Sequence, residues 1–302
     1  MNQTTAFLKR HSLVLGIVLM FLFTWPLDLV NSGIAKIDIP FIFLLFLGWG
    51  FGLASVIMTG LTLGKQGVVS LLKRYIQWRV GWKWYLAAFL LEPVLQILGV
   101  YGNALITGVA PDYSRVMAYK VFGEGATLWL FIVPFFITDL ISNGEEIGWR
   151  GYALPRLQAK YSALSSTLIL GVIWGFWHLL KFLPHWNPLV FAFFMLHTVS
   201  FAVILSWLYN NTKGSLLLVA MMHASANTAG IFLPMADTLS NENLGAYVGY
   251  VLFQVIAAIL IVITSGPARL SRTEPMQIQG SDLPNEGEQP VQTLGLQSEN
   301  AK

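Results

Sequence analysis

The chain has 302 residues, of which 55% are hydrophobic and 11% charged, with a formal net charge of +3 and a mean hydropathy of +0.63. A soluble domain carries roughly 25% charged residues, so much of this surface faces lipid, and the small positive balance reads as loop charge that sets topology, with no nucleic-acid partner implied. Cysteine is absent, which excludes disulfides, thiolate metal ligands and a cysteine nucleophile.

Eight stretches are long and apolar enough to span a membrane, a span needing about 20 residues: 12–31, 39–62, 83–104, 126–143, 164–182, 189–209, 214–233 and 246–265. The first follows Lys9 and Arg10, as a signal peptide would. Trp25, Pro26, Leu27 and Asp28 come next, however, without a small-residue cleavage pattern, so it is read as an uncleaved spanning helix. Between the second and third spans, residues 65–81 place Val68, Leu71, Leu72, Tyr75 and Trp78 at helical spacing, with Lys73, Arg74 and Arg79 elsewhere; this predicts a short amphipathic helix on the inner interface. Beyond Pro267 the composition shifts. Residues 274–302 are rich in Gln, Glu, Asn, Ser, Gly and Pro and lack aromatics, so 266–302 is expected to be a disordered cytoplasmic tail.

Basic residues then orient the chain. Lys9, Arg10, Lys65, Lys73, Arg74, Arg79, Lys83, Arg150, Arg156, Lys160, Lys213, Arg269, Arg272 and Lys302 fall on one side, against Lys36, Arg115, Lys120 and Lys181 on the other. The positive-inside rule puts both termini in the cytoplasm. The fold expected is all-α, a polytopic transmembrane bundle of about eight helices. Residues 1–125 hold the N-terminal spans and 126–265 a core that carries the chemistry.

Ionisable residues inside spans are costly and tend to face a bundle interior or a watery cavity. At the inner end of the fourth span stands Gly144-Glu145-Glu146-Ile147-Gly148-Trp149-Arg150-Gly151. Glu146 and Arg150 are four apart and can pair on one helical face. Glu145 is rotated by about 100° from Glu146, which leaves it free to act on a water as general base or acid. His178 lies in the fifth span with Trp174 one turn before it. His223 and Asn227 share a face of the seventh span, next to the small residues Ala224, Ser225 and Ala226. They are read either as interhelical hydrogen-bonding groups or as two donors aimed at one point, as an oxyanion requires. His197 reads as a core or cavity residue, and Glu92, followed by Pro93 in mid-span, as a carboxylate facing a cavity. His185 and His11 are expected near interfaces, and Asp28 and Asp139 carry no motif.

Glu145-Glu146…Arg150, Trp174…His178 and His223…Asn227 together resemble the pattern of the CPBP family of intramembrane proteases, which includes the CAAX prenyl endopeptidases and the bacteriocin-processing and immunity proteins. The resemblance covers residues 125–235. One departure is that Trp174 stands where the family usually has Phe. The resemblance implies a peptidase with an intramembrane cavity open to the cytoplasm, in a bacterial plasma membrane, acting on a peptide or a lipid-anchored protein. It implies that Glu145 and His178 activate the attacking water, that His223 and Asn227 stabilise the oxyanion, and that Glu146, Arg150 and Trp174 support the site. Glu145, His178 and His223 would form a three-ligand zinc site with water in the fourth position; the same residues also suit a glutamate base without metal. The alternative is a non-catalytic immunity or regulatory protein on the same scaffold.

Overall fold

The computed structural model describes residues 3–40, 49–123, 128–235 and 244–272. Among these, every regular element is a helix. The principal ones are α1 (Ser12–Asn31), α2 (Trp49–Lys73), α3 (Trp82–Thr107), α4 (Ile132–Ser142), α5 (Ala163–Trp177), α6 (Pro188–Asn211), α7 (Leu216–Phe232) and α8 (Gly245–Ser265). They fall on the eight apolar stretches and form the all-α polytopic bundle expected. Among the described residues, five helices (α1, α2, α3, α6 and α8) are long and apolar enough to cross a membrane alone, and up to seven spans are present if each of two bent pairs counts as one. The pairs are Leu128–Ser142 with Ile147–Gln158, bent by 42°, and Ala163–Trp177 with Leu179–His185, bent by 43°. With 17 residues, α7 stands at the short end of the range of about 17–25 residues that spans a bilayer. The chain is an integral membrane protein whose outward face is apolar: Leu105, Ile106 and Ile263 all stand largely exposed.

Both bends have local causes. After α4 the chain leaves the helix at Asn143 and Gly144 and restarts at Glu145. At the second bend, the His178 backbone N–H bonds to Gly175 O at 3.2 Å, while the His178 ring nitrogen Nδ1 takes Trp174 O at 2.9 Å. A side chain has thus replaced a main-chain donor on that carbonyl, which bends a helix. Two of the three sequence motifs, Glu145-Glu146…Arg150 and Trp174…His178, therefore sit at the two broken points of the bundle.

Residues 41–48, within the second expected span, and 126–127, which open the fourth, lie outside the described residues. In α2 the helix is broken at Gly64, whose φ of 67° favours glycine. Helix continues to Lys73 and a 3₁₀ turn to Ile76, and Gln77 is already extended, so the helix expected over 65–81 ends early. Leu71 and Arg74 turn inward from it. Arg74, read above as a loop cation, donates to Tyr209 and, at 2.8 Å, to Gly151 O, which ties this segment to the motif-bearing one.

Close backbone approach sets the packing of α3 on α8. A Cβ on Gly99 would lie 2.7 Å from Tyr250 Cα, and one on Gly249 would lie 3.1 Å from Gly99 O. Small residues at crossings are how membrane helices gain van der Waals contact without a hydrophobic driving force. Of the expected tail, 273–302 lie outside the described residues. Its first residues are folded: Pro267 O and Ala268 O accept the Leu164 and Ala163 N–H groups at 3.0 and 2.9 Å, Asn210 donates to Arg269 O at 2.7 Å, and Leu270 is fully buried.

Candidate active site

The two carboxylates diverge because of how the chain restarts after α4. Asn143 Oδ1 accepts the Glu145 backbone N–H at 3.2 Å and caps the new helical turn. Residues Ile147–Ala153 then form a π-helix, a geometry frequent at functional sites. Glycine lets this segment lie against α2, since a Cβ on Gly148 would meet Phe51 Cβ at 2.8 Å. Glu146 is driven inside and fully buried, and Glu145 stays half-buried.

Glu146 pairs with Arg150 as the spacing predicts, its two oxygens accepting from Nη1 at 3.0 and 3.2 Å. It also holds His223 from α7, with Nδ1 2.8 Å from Oε1. An ionised carboxylate only accepts, so Nδ1 carries the proton and Nε2 is the nitrogen left for chemistry. His223 is thus braced by a buried ion pair that the sequence had linked only to Arg150.

Trp174 is the hub of the remaining contacts. Its indole N–H donates to Glu145 Oε2 at 3.0 Å. Its ring lies 4.8 Å from the Arg150 guanidinium, 5.9 Å from the His178 ring and 5.5 Å from the His223 ring. Its carbonyl holds His178 Nδ1, and because a carbonyl only accepts, His178 also has its proton on Nδ1 and a bare Nε2. The departure at position 174 thus supplies an N–H donor that a phenyl ring lacks, and this donor orients the half-buried carboxylate.

A cavity of about 440 Å³ is lined by Trp174, His178, His223 and Asn227, together with Asp139, Phe201 and residues of α3, α6 and α8. Glu145 is joined to this wall through the indole N–H and is not one of the lining side chains. Asn227 is exposed and gives one amide N–H to Asp139 Oδ2 at 3.1 Å, which fixes the amide and leaves its second N–H available. Asp139 is a site residue the sequence reading missed. It lies on α4, and the break at Asn143 and Gly144 destroys any fixed helical relation to Glu145 from which a face could have been read.

A three-ligand zinc set of Glu145, His178 and His223 is not assembled: among the described residues, no three His, Asp or Glu side chains are grouped so as to hold one ion. His178 and His223 are bonded through Nδ1 alone, to the Trp174 carbonyl and to Glu146, and Glu145 through Oε2 to the Trp174 indole.

Residues 124–229 match a family described as type II CAAX prenyl endopeptidase Rce1-like. Over this segment the chain is similar to the CAAX endopeptidases. Over 190 residues it is 26% identical to a protein named CAAX prenyl protease 2 from Methanococcus maripaludis. That match covers 57% of this chain and 63% of the relative, so the chain spans less than two thirds of the relative's length. The family segment begins ahead of α4 and ends within α7, and it contains both bends, the π-helix and every residue the sequence assigned to the site.

Proposed function

We propose that this chain is a CAAX endopeptidase-like member of the CPBP family, an intramembrane endopeptidase that hydrolyses a peptide bond of a membrane-associated or lipid-anchored peptide or protein, with Glu145 as general base. The observation that carries the reading is the hydrogen bond from Trp174 to Glu145 beside the His178 and His223 rings, at the wall of a cavity inside an apolar bundle. Preorganised polar groups in a low-dielectric site are worth far more than in water, and they need no reorganisation as charge develops.

In this mechanism a water is held between the Glu145 carboxylate and His178 Nε2. Glu145 takes one proton as the water oxygen attacks the scissile carbonyl carbon. The oxyanion accepts from the second Asn227 N–H and from a doubly protonated His223, whose Nδ1–H remains on Glu146. When the intermediate collapses the C–N bond breaks, and Glu145 returns its proton to the leaving nitrogen. The products are a carboxylic acid and an amine, which exchange the acid's proton to become carboxylate and ammonium, with no net change at Glu145. Glu146 and Arg150 act through His223, by fixing its ring. The substrate class follows from the name of the matched relative, a CAAX prenyl protease: a prenylated CAAX segment, which stands at a protein C-terminus. The asymmetry of basic loop residues supports a cytoplasmic placing of both termini and of the cavity mouth.

The test uses purified protein in liposomes, oxygen-18-labelled water and a farnesylated peptide ending in Cys-aliphatic-aliphatic-X. Mass spectrometry should find one new carboxylate bearing the label and the complementary amine fragment. Intact peptide after prolonged incubation, for this probe and for its unprenylated counterpart, overturns the reading.

A further inference from the structure

A second polar cluster, on α3, α6 and α8, reaches the same cavity and takes no part in the proposed reaction. Glu92 is fully buried, and its Oε2 accepts from Tyr250 at 2.7 Å and from Gln254 Nε2 at 2.9 Å. Because the Gln254 amide nitrogen is committed there, its oxygen points the other way, where it meets Ser200 Oγ and His197 Nδ1, both at 2.9 Å. An amide oxygen only accepts. His197 therefore carries its proton on Nδ1, and Nε2 is an acceptor. The ring is partly exposed and lines the cavity.

Gln96 supplies a second fixed acceptor. Its Nε2 donates to Ala226 O at 2.8 Å, which orients the amide. Its Oε1 has no partner among the described residues, although the side chain is only 2% exposed and lines the cavity. Ala226 immediately precedes Asn227, so this acceptor is anchored beside the proposed oxyanion donor. His197 and His223 both contact the Phe201 ring, with centroids at 5.7 Å in each case.

The cavity thus has two unlike walls. Asn227 and His223 offer donors suited to a carbonyl oxygen, whereas His197 and Gln96 offer acceptors held in place by buried partners. An extended peptide presents both kinds of group, and a hydrocarbon chain presents neither. We propose that His197, oriented by Gln254 and Glu92, and Gln96 form a subsite for backbone N–H groups of an extended peptide substrate. Since an extended chain rises about 3.3 Å per residue, a contact one aromatic ring away from His223 falls about two to three residues from the scissile bond. The ligand class rests on the peptidase reading.

The test is equilibrium binding, so that it does not depend on turnover. Fluorescence anisotropy measures the Kd of a labelled farnesylated peptide for detergent-solubilised Glu145→Ala protein, and of peptides N-methylated at each residue in turn. N-methylation at one or two positions should raise Kd about five- to tenfold, the worth of one hydrogen bond. His197→Phe, which keeps an aromatic ring in place, should raise the Kd of the unmodified peptide by a similar factor, with no further loss from the sensitive N-methyl group. His197→Gln keeps an acceptor at the position of Nε2 and should restore much of the affinity, which separates a lost contact from a misfolded variant. Uniform weakening of every peptide by His197→Phe and Gln96→Met, or no binding at all, overturns the inference. Position-specific binding without cleavage by the unsubstituted protein would leave the subsite standing and sink the peptidase reading, while cleavage without position-specific binding would do the reverse.

Discussion

Replacing Trp174 by Phe removes one interaction and keeps its surroundings. The phenyl ring still faces Arg150, His178 and His223, which contact the indole at 4.8, 5.9 and 5.5 Å, and the backbone carbonyl that holds His178 Nδ1 is untouched. What disappears is the donor 3.0 Å from Glu145 Oε2. A hydrogen bond to a charged group is worth about 1.5–3 kcal/mol. Glu145 is half-buried, so water recovers part of that energy, and the lower end applies. A barrier higher by about 1.4 kcal/mol is tenfold in rate. Trp174→Phe is therefore expected to lower kcat about tenfold and to leave KM nearly unchanged, measured with the prenylated probe in detergent or liposomes. The effect should vanish in the Glu145→Ala background, where no carboxylate remains to be oriented. An unchanged kcat, or an equal loss with and without Glu145, would refute the reasoning.

Glu146→Ala strands the fully buried Arg150 guanidinium and frees His223, and breaking a buried pair in this way costs about 3–5 kcal/mol; denaturant unfolding in detergent should register that loss, and an unaltered midpoint would count against the brace. Asn227→Ala removes an exposed side chain that the mechanism uses as an oxyanion donor, so kcat is expected to fall about 10²–10³-fold with no change in unfolding temperature. Gly99→Leu forces apart backbones that now touch at α3 and α8; overpacking of this kind costs about 1–3 kcal/mol, visible as a lower thermal midpoint, and a variant as stable as the parent would contradict that crossing.

Lipid as the solvent was legible from composition, and so were the positions of the apolar helices, because long uncharged runs leave few other structures. The pairing of Glu146 with Arg150 was legible for the same kind of reason: four residues on a helix lie on one face. The bends were not. The one at His178 depends on which donor takes Trp174 O, a competition between ring and backbone that no periodicity records. The reach of Glu146 to His223 and of Trp174 to Glu145 spans 77 and 29 residues, so neither follows from local spacing. Arg74 misled, since a loop cation that reads as a topology signal is buried against Tyr209 and Gly151. Glu92 was singled out by its cost in mid-span, and it proves to stand behind His197 through Gln254.

The central claim is that Glu145, and not its buried neighbour, is the carboxylate that works on water. The most direct measurement is the turnover of Glu145→Gln, which keeps the size and an amide oxygen for the Trp174 donor while removing the base. Loss of the general base's contribution, about 10²–10⁴-fold in kcat, is expected, with an unfolding midpoint equal to that of the unsubstituted protein. Turnover within a few-fold of the unsubstituted protein would contradict it.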